Sequence, residues 1–162
     1  MSTKTTSGVK QIRIRDNASE FKPYSFADCF VIKTDKIISA EQAAIIAIEN
    51  GPKWVTPLMA LRNLIVAPFG IKTSAPLDKN QKAIGMFPIV HKSDDKLVLG
   101  FDDKHLNFRI VIEVENIHSN TFVYSSTYVQ THNILGKAYL FMVKPFHKLI
   151  VAQSLSLVAK EN

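Results

Sequence analysis

His105-Leu106-Asn107-Phe108-Arg109-Ile110-Val111-Ile112-Glu113-Val114 is the stretch that decides the fold. Successive side chains of a strand point to opposite faces. Leu106, Phe108, Ile110, Ile112 and Val114 therefore share one face, and His105, Asn107, Arg109, Val111 and Glu113 share the other. This is the pattern of a long, half-buried strand. Upstream, Leu97, Leu99 and Phe101 alternate with Val98, Gly100 and Asp102, and the charged pair Asp103-Lys104 makes a tight turn between the two runs. Downstream, 116–120 reads as a hairpin loop and Thr121 to Thr131 as the last strand. Connections this short join antiparallel neighbours.

Further upstream, Ile84 to Val90 is an apolar strand candidate ending at Lys92-Ser93-Asp94-Asp95. Residues 71–82 carry Pro76 and a polar run from Asp78 to Lys82, and read either as a surface loop or as a flap over a cavity. Two short helices precede them. Ser39 and Gln42 have capping-box spacing, Ala44, Ile45 and Ile48 share a helical face, and Asn50-Gly51-Pro52 stops the run. In the second helix Thr56 is the expected N-cap, Pro57 takes the first position, Leu58, Leu61 and Ile65 form a stripe, and Pro68 and Gly70 end it. Trp54 is expected to pack over its first turn. Asp28 to Lys33 is an apolar strand before them, and Gln11 to Arg15 a short edge strand.

The chain closes on a predicted helix from Ile134 to Ala159, capped by Asn133. Leu135, Ala138, Met142, Leu149, Ala152, Leu155 and Ala159 follow a helical period, and Pro145 predicts a kink. At ~1.5 Å per residue this helix spans roughly 40 Å, the length of a whole sheet. The order predicts an α+β fold in which a curved antiparallel β-sheet wraps around a long C-terminal helix. Such a sheet leaves room for an apolar cavity against the helix.

The 162 residues suit one domain, expected over 9–160, with the small polar stretch Met1 to Gly8 frayed or disordered. Hydrophobic residues make up 46% and charged residues 21%, which excludes disorder throughout. Cys29 is the one cysteine, so an internal disulfide and a Cys-rich zinc site are excluded. Its place in the run Cys29 to Ile32 predicts a buried, inert thiol. With no secretory signal and no apolar run of about 20 residues, no transmembrane segment is expected and the location predicted is cytoplasmic. The net charge of +6 is spread along the chain without a Lys/Arg block or an aromatic ladder, so no nucleic-acid partner is expected. No metal and no cofactor are expected either: the five histidines lack close ligand spacing, and Gly-rich phosphate loops are absent.

Three stretches carry a resemblance. The first is Trp54-Val55 with Leu61-Arg62 and Pro68 to Thr73. The second is Ile84-Gly85, Leu97 to Gly100 and Asp102 to Arg109. The third runs from Thr131-His132-Asn133 through Leu135-Gly136-Lys137 and Tyr139 to Pro145 to Val151. Together, over 54–151, they resemble a bacterial family known as domain of unknown function 2867. Its members often have Asp at the position of Asn107 and Arg at those of Lys137 and Lys148. That family is similar to the helix-grip, START-like superfamily of lipid carriers and polyketide cyclases. The resemblance implies a helix-grip fold and a cavity, but no particular reaction.

Two polar groups stand out as candidate ligand-binding residues. Asp102, His105, Asn107 and Arg109 surround the central turn, with His105, Asn107 and Arg109 on one strand face about 7 Å apart. Arg109 suits a carboxylate or phosphate and His105 a proton transfer. The alternative is that Leu106, Phe108 and Ile110 face the core and leave these polar groups on the solvated side. His132 and Asn133 sit at the start of the long helix, where the positive helix end favours an anion, or where Asn133 simply caps. Tyr128 lies on one face of the last strand with Tyr124, Ser126 and Gln130, to line a cavity or to form cross-strand pairs. Tyr139 and Phe146 read as core, and His147 beside Lys148 as a solvated helix residue.

The expected function is binding of a small apolar or anionic molecule between sheet and helix, with Arg109, His105 and His132 as polar contacts. The alternatives are a cyclase- or hydrolase-like enzyme with a histidine acid/base, and a partner-binding module without a cavity. Oligomeric state stays open, a homo-oligomer included.

Overall fold

The computed structural model describes residues 8–15, 20–70 and 82–160. The expectation for the N-terminal stretch (Gly8 apart) and the loop-or-flap alternatives for 71–82 (Lys82 apart) lie outside them. Seven antiparallel strands form one sheet: β1 (Lys10–Ile12), β2 (Phe26–Thr34), β3 (Ala83–Ile84), β4 (Phe87–Lys92), β5 (Lys96–Asp102), β6 (Leu106–Ile117) and β7 (Asn120–Thr131). Their order across the sheet is β1-β2-β7-β6-β5-β4-β3. The chain thus crosses from β2 to the far edge through two helices, then meanders back until β7 pairs with β2, Asp28 opposite Thr127.

The helices on that crossover are α1 (Ala40–Ala44), which runs on as a π-helical turn over Ile45–Glu49, and α2 (Val55–Val66), which tightens to a 3₁₀ turn over Ala67–Phe69. Ser39 and Gln42 close the expected capping box: Gln42 N–H donates to Ser39 Oγ at 3.2 Å and Ser39 N–H to Gln42 Oε1 at 2.9 Å. Ala40, Ala43, Ala44 and Ala47 are the buried side, small enough for α1 to lie close on the sheet.

Three expectations need correction. α2 starts at Val55, so Thr56 falls inside it rather than capping it; Trp54, just before it, donates its indole N–H to Gln153 at 2.7 Å. Leu61 of the expected stripe is exposed, while the side chains of Leu58 and Ile65 lie outside the described part. The apolar run from Ile84 is not one strand but a hairpin, since Gly85 at φ 59° turns the chain between β3 and β4.

The last element, α3 (Ile134–Lys160), runs unbroken through Pro145. Its inward face is Gly136, Val143, His147, Val151, Leu155 and Val158, not the stripe expected from the sequence, of which Leu155 alone is fully buried. Ile134 and Phe141 on the opposite side are each 82% exposed. The helix is apolar on nearly every side, so a 3.6-residue period fits several faces and cannot select one. The sheet's inner face and α3 enclose the main core: Phe30 and Ile32 of β2, Leu97 and Leu99 of β5, Ile112 and Val114 of β6, Val123 of β7, and Leu155 and Val158. A curved antiparallel sheet closed on one long helix is the helix-grip arrangement.

A second, smaller cluster covers the outer face, where Val98, Val111 and Tyr128 pack with Ile14, Phe21, Tyr24 and Ala27. Cys29 is wholly buried, bonded by Ser126 Oγ at 3.2 Å, and burial pushes its thiol up. The thiolate is the reactive form. Iodoacetamide should therefore leave the native protein unmodified and add one group after urea unfolding, as read by intact mass. Rapid native labelling would contradict this packing.

Burial likewise pushes the Tyr128 phenol up to about 12. In the unfolded chain a tyrosine ionises near about 10. The folded state thus gains from neutral Tyr128 fully below about pH 10, and loses that contribution between about pH 10 and 12. Urea unfolding at about pH 9 and 11.5 should show a larger loss in the wild type than in Tyr128→Phe. Equal losses would contradict it.

A cavity with a buried Asp–His pair

The alternation that begins at Leu106 sends Leu106, Phe108, Ile110 and Ile112 toward α3. Ser125, Thr127 and Val129 of β7 and Phe26 of β2 point the same way. Between these side chains and Tyr139, Leu140, Val143, His147, Ile150 and Val151 of α3 lies a cavity of about 510 Å³. Phe87, Phe101 and the π-helical turn at Ala47 and Ile48 complete the wall. The lining is mainly aliphatic and aromatic, and the volume falls in the range of small-molecule sites.

One buried ionisable pair sits in this region. Phe26, Asp28, Phe30 and Ile32 alternate inward along β2, which carries Asp28 beneath α3 with 4% exposure. A carboxylate removed from water must be hydrogen-bonded. His147 supplies the bond: Nε2 lies 3.0 Å from Asp28 Oδ2 and 3.2 Å from Oδ1. The imidazole meets the Phe26 ring edge-on at 5.9 Å, and the Lys144 ammonium, one turn back, lies 4.9 Å from the same ring. Asp28 thus fixes the orientation of His147 and the proton on Nε2. Nδ1 of the same ring has no hydrogen-bond partner among the described residues, and the ring lines the cavity. An imidazole tethered at one nitrogen and open at the other can accept a proton, or donate one when protonated.

None of the six residues singled out in the sequence lines this cavity. They fall into two groups. His105, His132 and Asn133 gather where β6 meets α3. Asn133 caps the helix, its Oδ1 accepting from Gly136 N–H at 3.0 Å, while its Nδ2 lies 2.9 Å from His105 Nδ1. The backbone N–H of His132 donates to the His105 carbonyl at 2.9 Å, and the His132 side chain is exposed. Asn107, Arg109 and Tyr128 are on the outer face, where with Phe21, Tyr24 and Gln130 they border a small pocket of about 160 Å³. Arg109 is engaged there by Asp102 at 2.8 Å and by the Phe108 carbonyl at 2.8 Å. Tyr128 stacks on Phe21 with ring centroids 4.5 Å apart. For the strand residues the outer-face alternative is the one the fold adopts, because alternation assigns residues to two faces without saying which face is concave.

His147 is the reverse case. Read as solvated because it adjoins Lys148, it faces inward with 18% side-chain exposure. Tyr139 lines the cavity as core, whereas Phe146 is 45% exposed. The available signal was Asp28, an acid at an inward position of an apolar strand, which demands a buried donor from elsewhere in the chain.

Sheet, gripped helix and intervening cavity define an α+β protein of the helix-grip class. The chain belongs to the family described as "Protein of unknown function (DUF2867)", whose model matches residues 21–154. No curated protein matches the sequence. Among solved structures the chain is similar to the crystal structure of Ara h 8.0201, at 7% identity over 85% of this chain and 100% of that one, with a TM-score of 0.39. It is also similar to CalU16 from Micromonospora echinospora, at 8% identity over 83% of this chain and 85% of that one, with a TM-score of 0.34. No described helix is long and apolar enough to cross a membrane.

Proposed function

We propose that the chain binds a small, partly apolar molecule in the cavity between the sheet and α3. The observation that carries this reading is the apolar volume of about 510 Å³ with His147, bonded to the buried Asp28, set into its wall. Apolar walls gain from covering an apolar body, and a few fixed polar groups orient the ligand. Native mass spectrometry of the purified protein, followed by denaturing extraction, tests it. A bound small molecule released on denaturation is the expected result. A single apo mass, with no thermal stabilisation by any member of a lipid and metabolite panel, would count against it.

A second reading is an acid–base enzyme of the cyclase or hydrolase kind, with His147 moving the proton. The open Nδ1 opposite the Asp28-bound Nε2 favours it. On this reading a compound extracted from the protein is turned over by the wild type, while His147→Gln binds it without turnover. Equal turnover by both would remove His147 from the chemistry.

A further inference from the structure

The polar groups of the cavity wall are unevenly distributed along α3. Lys144 and His147 lie one turn apart in its middle stretch, on the wall that Phe26 and Thr127 close from the sheet. Lys144 forms no ion pair with a carboxylate among the described residues; its ammonium lies over the face of Phe26. The acidic residues on the wall, Asp103 and Glu49, sit toward the ends. Asp103 belongs to the β5–β6 turn, whose His105 backbone packs on Gly136, and Glu49 lies near Gly51, which faces Ser154. At ~1.5 Å of rise per residue, Gly136 is roughly 12 Å and Ser154 roughly 10 Å along the axis from the near end of the Lys144–His147 turn. Asp28, the nearest carboxylate, is already bonded to His147 Nε2. The middle of the wall therefore carries an exposed ammonium without an ion-pair partner among the described residues, one turn from an imidazole whose Nε2 is bonded to Asp28, beside an apolar wall.

We propose that the ligand is an amphipathic monocarboxylate. Its carboxylate is held by Lys144 Nζ and His147 Nδ1, and its apolar body lies along Phe108, Ile110 and Leu155. This rests on the cavity-binding reading above and adds the chemical class and the end that is recognised. When the His147 ring is protonated, Asp28 takes one N–H and the ligand carboxylate takes the other, while Lys144 closes the second oxygen. The anion is thus assigned to α3 and not to Arg109, whose guanidinium is committed to Asp102 on the outer face.

The test is isothermal titration calorimetry with decanoate and with 1-decanol, which share an apolar body and differ in the charged end. The wild type should bind decanoate at least about ten-fold more tightly, the increment expected from charge-assisted hydrogen bonds. Lys144→Met keeps the apolar stem and, at an exposed position, leaves the fold intact by circular dichroism; it should bring the two affinities close together. Equal affinities in the wild type would overturn the carboxylate assignment while leaving the cavity reading in place. A preference that survives in both Lys144→Met and His147→Gln would overturn the assigned residues. Binding of neither compound would overturn the proposal, and with no binding of any apolar compound in the panel the cavity reading falls with it.

Discussion

His147→Leu should destabilise the protein by about 2 kcal/mol, the scale found when a buried acceptor loses its hydrogen-bond donor. Asp28 has 4% exposure and both of its carboxylate oxygens lie within hydrogen-bond distance of His147 Nε2. Leucine in place of the imidazole leaves that carboxylate under α3 with its donor gone. The cost comes from the stranded charge more than from the lost bond, and this has a second consequence. Replacing both partners by leucine removes the charge and fills the space with apolar side chains, which is often near neutral. Asp28→Leu combined with His147→Leu should therefore recover more than half of the loss. Urea midpoints at unchanged m-value would read both effects. Additive losses in the double variant would mean that the two residues do not act as a buried pair.

The second large effect is expected at Gly100 of β5. Its φ of 150° suits glycine, and a methyl group built there would lie 2.1 Å from the Phe108 carbonyl oxygen and 3.1 Å from the Arg109 α-carbon. Both neighbours are backbone of β6, with which Gly100 pairs opposite Arg109, so neither can rotate away. Overpacking and backbone strain together put the loss for Gly100→Ala on the order of 4 kcal/mol. The damage should spread to the cavity, because Phe101 and Phe108, in edge contact at 4.5 Å, both line it. A midpoint within error of the wild type would show that β5 and β6 are not this close.

These two sites show how far the sequence could be read. The meander was legible because short turns such as Asp103-Lys104 leave antiparallel pairing as the economical option, and the capping box at Ser39 because its chemistry is local. The pairing of β2 with β7 is long-range and leaves no mark in either segment. The inward face of α3 was misread because Phe141, Leu149 and Ile134 are as apolar as Val143 and Val151; only the sheet decides which side is covered. The same ambiguity left open whether Arg109, Asn107 and Tyr128 face a cavity or the outer side. The cavity's own polar group arises from a strand and a helix 119 positions apart, a separation that no local motif spans.

Ligand is proposed to occupy the space between the sheet's inner face and α3. Methyl-resolved NMR of Ile, Leu and Val side chains during a decanoate titration tests it most directly. Shifts at Ile110, Ile112, Val143, Ile150 and Leu155 are predicted, with Ile134 on the outer side of α3 and Val98 and Val111 on the outer sheet face unmoved. Shifts confined to Ile134 or to the outer face, with the inner methyls silent, would contradict it.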